Sequence, residues 1–284
     1  MSDHVIISHR QVVPLLKAHQ EGRHVVATSL DLGISEVEVV IESDHAVLGP
    51  GITLSVEMME EIGRDRNACF LVNSGKARKI QTFSEHTNLF YSLLPTNSAP
   101  TLMISGIPMH RIKDTNPWLD SQSKVQALGR ISGRVLDTCT GLGYTAILAA
   151  RQAASVITVE VDPVVLELAR LNPWSKELFS DPKIRQIVGS IVEEIGDFGN
   201  DMFSYIIHDP PTIGLAGDLY SGGFYRELHR VLRPRGRLFH YTGDPGSKLG
   251  RNTARGVARR LREVGFAKVQ PKDQAFGLLA YRGA

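Results

Sequence analysis

The sequence predicts an α/β protein. A mainly parallel, seven-stranded sheet with helices on both faces occupies residues 120–284, and a smaller α+β accessory domain occupies residues 1–119. Three observations carry this reading. After residue 120, short apolar runs rich in β-branched residues alternate with helix-like segments, and such alternation implies crossover connections and parallel strands. The first of these runs ends in a glycine-containing turn that opens a helix. Before residue 120 the alternation is absent, although 284 residues suffice for two domains.

Taken in order, "RQVVPLLKAHQEG" predicts a first helix. In "SEVEVVIES", Val37 and Val39 alternate with Glu36 and Glu38, the pattern of a half-buried strand. A small helix is expected at "SVEMMEEIG", with strands at "ACFLVNSG" and "TLMISGI". The regular half then supplies strands at "RVLDTC", "SVITVEVD", "KIRQIVG", "SYIIHD" and "GRLFHYTG". Helices are expected between them at "YTAILAARQAA", "PVVLELARL" and "FYRELHRVL". The last two runs, "AKVQPKD" and "FGLLAYR", have no helix between them and predict an antiparallel hairpin closing one edge of the sheet.

The formal charge of +2 names no partner by itself. Cys69 and Cys139 stand far apart without a CxxC, which argues for a reducing compartment and against a disulfide framework or a zinc site. No metal is expected. The first residues lack the pattern of a signal peptide, and no apolar stretch approaches the roughly 20 residues of a membrane span. A cytoplasmic protein is the expectation.

Two segments carry chemistry. In "VLDTCTGLGYTA", Asp137 ends a strand and Gly141 and Gly143 form the turn. Glycines there admit a ligand close to the backbone, and the next helix offers unpaired N–H groups. The following strand ends in "VEVD", which puts Glu160 where a carboxylate accepts from both hydroxyls of a ribose. Dinucleotide-binding folds share this acid, roughly 20 residues beyond the glycines. Ala146 satisfies their third position, so NAD stays open. Asp137 discriminates against it, because a carboxylate at the mouth of the loop repels a pyrophosphate and suits an ammonium and a sulfonium. In "HDPPT", Asp209 arrives where a buried strand runs out, followed by two prolines that have no N–H to donate. That corner offers acceptors to a ligand carrying N–H groups.

With these motifs residues 120–284 resemble the Rossmann-like class I S-adenosylmethionine-dependent methyltransferases. The resemblance implies S-adenosyl-L-methionine as cofactor. Asp137, Gly141 and Gly143 would surround its methionine part, together with Cys139, Tyr144 and Thr145. Glu160, followed by Val161, would hold the ribose, and Gly189 and Ser190 would lie beside the adenine. Cys139 stands where the family has its first glycine, and Ser190 where an acid often follows the third strand.

"DPPT" resembles the Asp/Asn/Ser-Pro-Pro-aromatic motif of amino-group methyltransferases, with Thr212 in the aromatic position. An exocyclic amino nitrogen is a poor nucleophile because its lone pair is delocalised into the ring. Acceptors on its N–H groups, here Asp209 and the Pro210 carbonyl stiffened by Pro211, localise that pair and aim it. Asp209 can afterwards receive the proton. Thr212 cannot stack on a base, so a ring would come from Tyr220, Phe224, Tyr225 or Trp174. Phe224 and Leu228 have core spacing, which leaves Tyr220 the better candidate.

A closer resemblance joins "VLDTCTGLGYTAI", "LARLNPWS", "HDPPTIGLAGDLYS", "RLFHYTGDPG" and, upstream, "GIPMHRIK" to an archaeal-type methyltransferase family. Its members act on cytidine N4 in small-subunit ribosomal RNA, so RNA is the partner this likeness implies. In those relatives Arg stands in place of Thr212. His110 and Arg111 would border the substrate. From Arg230 to Arg262 ten Lys/Arg residues face one acid, Asp244, which reads as an RNA track or as a solvated basic face. Two rival functions remain: a small-molecule N-methyltransferase or aminopropyltransferase on the same scaffold, and a non-catalytic RNA-binding or assembly factor.

Overall fold

A computed structural model describes residues 4–284 and divides them into two compact units. The first takes the chain up to Trp118 together with Val164–Lys176, and the second takes Leu119–Pro163 and Glu177–Ala284.

The first unit is built from short antiparallel sheets. Strand β1 (Val5–Ser8) leads into helix α1 (His9–Gln20), and strands β2 (Val25–Thr28), β3 (Val37–Ile41), β4 (His45–Gly49) and β5 (Ile52–Ser55) follow. Helix α2 (Val56–Arg64) precedes β6 (Cys69–Asn73), β7 (Lys76–Lys79), β8 (Gln81–Ser84), β9 (Leu89–Leu94), β10 (Thr101–Ile104) and β11 (Ile107–Pro108). The sheets are β1-β6-β7, β2-β3-β4-β5 and β11-β10-β9-β8. Helix α1 starts where its sequence allows: Ser8 Oγ accepts from Arg10 N, and Gln11 Oε1 accepts from Ser8 N at 3.0 Å. This is a reciprocal cap. The cap of α2 is Ser55, whose Oγ accepts from Met58 N at 3.2 Å. Val12, Leu15, Val39, Leu54, Met59 and Phe70 lie in one apolar core. The alternation expected from Val37 holds only from Val39 onward. Val39 and Ile41 are buried, whereas Val37, the first residue of β3, is exposed.

The second unit starts with α3 (Pro117–Ala127, entering at Leu119) and continues through β12 (Arg134–Asp137), α4 (Tyr144–Ala150) and β13 (Ser155–Glu160). Helix α5 (Pro163–Leu171) leaves it, and the chain returns through α6 (Lys176–Ser180), β14 (Ile184–Val188), α7 (Ile191–Glu194) and β15 (Phe203–His208). Then come α8 (Gly222–Val231), β16 (Leu232–Tyr241), α9 (Lys248–Glu263), β17 (Phe266–Lys272) and β18 (Gly277–Arg282). These strands form one seven-stranded sheet of order β14-β13-β12-β15-β16-β18-β17. The first five run parallel, and the β17–β18 hairpin closes the edge antiparallel, as expected.

Two elements differ in length from their expectation. Helix α4 stops at Ala150, short of "RQAA", and β16 begins at Leu232 because Leu232 already pairs with Phe203. Phe203, Ile206, Leu238, Phe224, Leu228 and Leu261 belong to one apolar core. The consequence for a site lies in strand order. Strand β12 has β13 on one side and β15 on the other, so the order in which successive strands are added reverses there. Such a switch point leaves a crevice at the carboxyl ends of the strands.

Candidate active site

Three carboxylates stand at those ends: Asp137 on β12, Glu160 on β13, and Asp209 just past β15. Backbone bonds lace the corner together, Thr138 N to Ile207 O at 3.0 Å and Thr140 N to Val159 O at 2.9 Å. Gly141 and Gly143 both have positive φ, +52° and +79°. Gly143 N donates to Thr140 O at 2.7 Å, which tightens the turn before α4. A Cβ on Gly143 would lie 2.7 Å from Leu178 Cδ2. Gly143→Ala is therefore expected to cost about 1–3 kcal/mol through strain and overpacking. Urea unfolding of the variant checks this.

Asp137 does not lie at the mouth of the loop, as expected from sequence, but is fully buried. Its oxygens accept from Thr158 Oγ1 at 2.8 Å and Thr145 Oγ1 at 3.2 Å. Burial pushes its carboxyl up to about 8; the Thr158 bond opposes the shift and the negative charge of Asp209 adds to it. Burial likewise pushes Glu160 up to about 7, against the N–H bonds it accepts from Gly141 at 2.8 Å and Asp162 at 3.2 Å. The acid expected to grip a ribose thus also ties down the glycine turn. Cys139 stays a thiol, because burial raises it well above its ordinary range. Tyr144 is buried in α4 beside Thr145.

Val161 is exposed just beyond Glu160, and so is Val188, the residue that faces Glu160 in register from β14. Gly189 follows Val188, and its N–H donates to Glu160 O at 2.9 Å. Ser190 caps α7 through its backbone carbonyl, which accepts from Glu193 N and Glu194 N at 2.9 Å each.

Just past β15 the Asp209 carboxylate is held by a lysine. Lys124 Nζ lies 2.6 Å from Asp209 Oδ2 and 2.9 Å from Asp120 Oδ2, and 4.5 Å from the centre of the Tyr241 ring. Lys124 and Asp120 are wholly buried. Burial alone would lower the ammonium, but the carboxylates of Asp120 and Asp209 outweigh it and hold Lys124 above its usual range. Sequence reading missed this pair, since Asp and Lys four apart on a helix ordinarily form a surface contact. No local pattern marks it: Leu119 is exposed on the same helix, while Asp120, Ser121 and Lys124 turn inward, the reverse of what their polarity suggests.

Behind Asp209, His208 is buried and pushed down to about 4 by that burial, so it is neutral. Its Nε2–H donates to Leu219 O at 3.0 Å, and Nδ1 therefore accepts from Thr138 Oγ1 at 2.7 Å. Thus β12, β15 and the segment before α8 are pinned through one imidazole.

The rings expected over a substrate have other tasks. Tyr220 is buried in the core, and its hydroxyl donates to Pro211 O at 2.9 Å, bracing the Asp-Pro-Pro corner from behind. Phe224 and Tyr225 are core residues, and Tyr225 OH meets His240 Nε2 at 2.8 Å. Trp174 belongs to the first unit, where it packs on Trp118 at 5.4 Å and donates Nε1–H to Leu32 O at 3.1 Å. His110, in the same unit, is fastened to Thr101 Oγ1 by both its backbone N–H and Nδ1. Arg111 follows it, half-buried. Thr212 is exposed, and its carbonyl accepts from Leu215 N and Ala216 N in a single turn.

Seven strands with this order, and a glycine turn and two strand-end acids at the reversal, define a Rossmann-like fold of the class I S-adenosylmethionine-dependent methyltransferase type. Spermidine synthase from Thermotoga maritima is similar to it at a TM-score of 0.56 and 20% identity, over 73% of this chain and 75% of that one. The chain is 42% identical over 259 residues to the uncharacterized protein MJ1233 of Methanocaldococcus jannaschii, 89% of this chain and 88% of that protein. It belongs to the same family as that protein. No family model matches. A shorter similarity, 31% over 125 residues, reaches polyamine aminopropyltransferase 2 of Streptomyces coelicolor, covering 41% of this chain and 23% of that protein. Among the described residues, no helix is long and apolar enough to cross a membrane.

Proposed function

We propose that the protein is an enzyme that transfers an alkyl group from an S-adenosyl sulfonium donor to an amine nitrogen. The observation that carries this is the meeting of Asp209, held by Lys124, with the glycine turn and Glu160 where the strand order reverses. The residues fit such a donor. Glu160 would hold the ribose hydroxyls, the exposed Val161 and Val188 with Gly189 and Ser190 would lie by the base, and the turn at Cys139–Gly143 admits a ligand near its backbone. Asp137 acts through the bonds it accepts from Thr145 and Thr158, fixing the turn, and adds negative charge as pH rises past about 8. When bound, the donor supplies an electrophilic carbon on sulfur. Asp209 orients the acceptor nitrogen through an N–H bond and takes its proton as the new C–N bond forms and the C–S pair leaves with the thioether.

Aminopropyl transfer from the decarboxylated donor is the first reading. Lys124 compensates Asp120 and Asp209, while Glu160 and Asp137 add two further carboxylates as pH rises past about 7 and about 8. That balance favours a donor ending in an ammonium and a cationic amine acceptor over a donor carrying a carboxylate. The similarity to polyamine aminopropyltransferases supports it. The test is incubation with each donor, S-adenosylmethionine and its decarboxylated form, against polyamines and ribosomal RNA. Mass spectrometry should show gains of an aminopropyl group on a polyamine; its absence from every polyamine rejects this reading.

The second reading, methyl transfer to an exocyclic amino group such as cytidine N4 in ribosomal RNA, rests on the Asp-Pro-Pro corner itself. It makes its own prediction on α9. Arg251 and Lys248 lie at the end of α9 that follows the β16 carboxyl end, whereas Arg259 and Arg262 lie about 15 Å further along. Reversing Lys248 and Arg251 to Glu should weaken RNA binding and flatten its salt dependence more than reversing Arg259 and Arg262. Filter binding over a salt series reads this, and no effect at either pair counts against RNA.

Donor binding should depend on pH in a definite direction. Glu160 and Asp137 are raised to about 7 and about 8, so both gain negative charge as pH rises through that window. A cationic donor then binds more tightly at pH 8.5 than at 6 and releases protons below about 8. Glu160→Ala should bind at least tenfold more weakly, because a charged group's hydrogen bonds are each worth about 1.5–3 kcal/mol. It should also lose the lower part of the pH dependence. Calorimetry in two buffers of different ionisation enthalpy measures both.

A further inference from the structure

Helix α3 buries an ammonium in a cage built for one. Asp120 and Asp209 supply a carboxylate oxygen each, at 2.9 and 2.6 Å, and the Tyr241 ring covers the cation at 4.5 Å. The components come from three places in the sequence: α3, the end of β15 and the end of β16. Nothing about fold stability asks for this. Apolar residues at positions 120 and 124 together would fill the same space without burying an ion pair. Ser121, one residue from Asp120, is also buried on α3 with no partner for its Oγ. This part of the helix is thus polar on its inner side, where a purely structural helix is apolar. The cage differs from the glycine turn and Glu160 in having its cation covalently attached. Of its three charged members Asp209 alone reaches the strand ends partly exposed, its side chain at 15% while those of Lys124 and Asp120 are at 1% and 0%.

We propose that Lys124 is a positioning residue for the reaction. Its ammonium, anchored by Asp120 and Tyr241, fixes the Asp209 carboxylate in the orientation that receives the acceptor nitrogen. This rests on the alkyl-transfer reading for its catalytic consequence, but the cage itself does not. A carboxylate at the end of a strand can rotate about two side-chain bonds, and a displacement of about 1 Å at a reacting group can cost 10²-fold. The lysine removes that freedom without touching the substrate. The expected signature is a fall in turnover with donor affinity unchanged.

Chemical rescue tests the cage. Lys124→Ala lacks three methylenes and the ammonium, which together are n-propylammonium. Turnover of Lys124→Ala should fall about 10–10²-fold, donor binding should stay within twofold, and millimolar n-propylammonium should restore part of the rate. The same ion should raise the melting temperature of Lys124→Ala and leave Lys124→Met, whose side chain fills the space, unchanged. Products are analysed by mass so that alkylation of n-propylamine itself is not counted as rescue. If Lys124→Ala does not fold, Lys124→Met combined with Asp120→Asn removes the stranded charge. It should fold and still lose turnover. A Lys124→Ala enzyme or a folded double variant at the wild-type rate overturns the proposal, as does a loss that n-propylammonium does not relieve in either rate or melting temperature. Should the wild-type protein transfer nothing from either donor, the alkyl-transfer reading fails instead, and the melting-temperature arm alone decides whether the ammonium cage exists.

Discussion

Replacing Asp209 by alanine is expected to lower single-turnover alkyl transfer by about 10²–10³, the usual loss for one preorganised electrostatic contact. Asparagine at the same place should keep part of the rate, because its amide oxygen still accepts a hydrogen bond although it carries no charge. Neither change should reach the donor: Gly141, Gly143 and Glu160 are organised by their own bonds, Gly141 N to Glu160 Oε2 among them. In both variants Lys124 keeps Asp120 at 2.9 Å, so the ammonium is not left without a carboxylate and the protein should fold. Rate and donor affinity are measured on the same preparations. A wild-type rate in Asp209→Ala would make the Asp-Pro-Pro corner a stiff turn and nothing more.

The second large effect is on stability. Lys124→Met removes the cation that lies between two carboxylates, one wholly buried and one nearly so. Leaving a buried charge without its counter-ion costs about 3–5 kcal/mol, a large part of the total stability of an ordinary domain. Equilibrium unfolding in urea should show this as a lower midpoint at unchanged slope. Adding Asp120→Asn should return most of the loss, since the buried carboxylate is then neutral. The two experiments on position 124 separate energy from catalysis: the double variant regains stability without regaining turnover.

How much of this was legible beforehand depends on the range of the interactions involved. The seven strands of the second unit could be read because each is a local run of β-branched and apolar residues. The order of strands and helices then dictates parallel crossovers. Asp137, Glu160 and Asp209 could be placed at strand ends for the same reason. The first unit was less legible. Strands such as β7 and β8 have four residues each, too few for a period of two to stand out, and their sheets are defined by pairing rather than by composition.

Side-chain duty followed a different rule. Tyr220, Trp174 and His110 looked available in sequence because their partners Pro211, Leu32 and Thr101 are not marked as partners by any local pattern. Asp137 could be put at the end of β12, but not beneath two threonines, one of which arrives from β13. Lys124 is the clearest case. By itself the sequence determined the strands of the second unit and the acids at their ends, but no helix before β12 was among the elements expected. Once α3 forms, its repeat of about 3.6 residues puts Asp120 and Lys124 on one side. Which way that side faces was decided only in the tertiary structure. The answer depends on Asp209, 85 residues away, arriving at the end of β15 to compensate a charge that would otherwise have to remain in water.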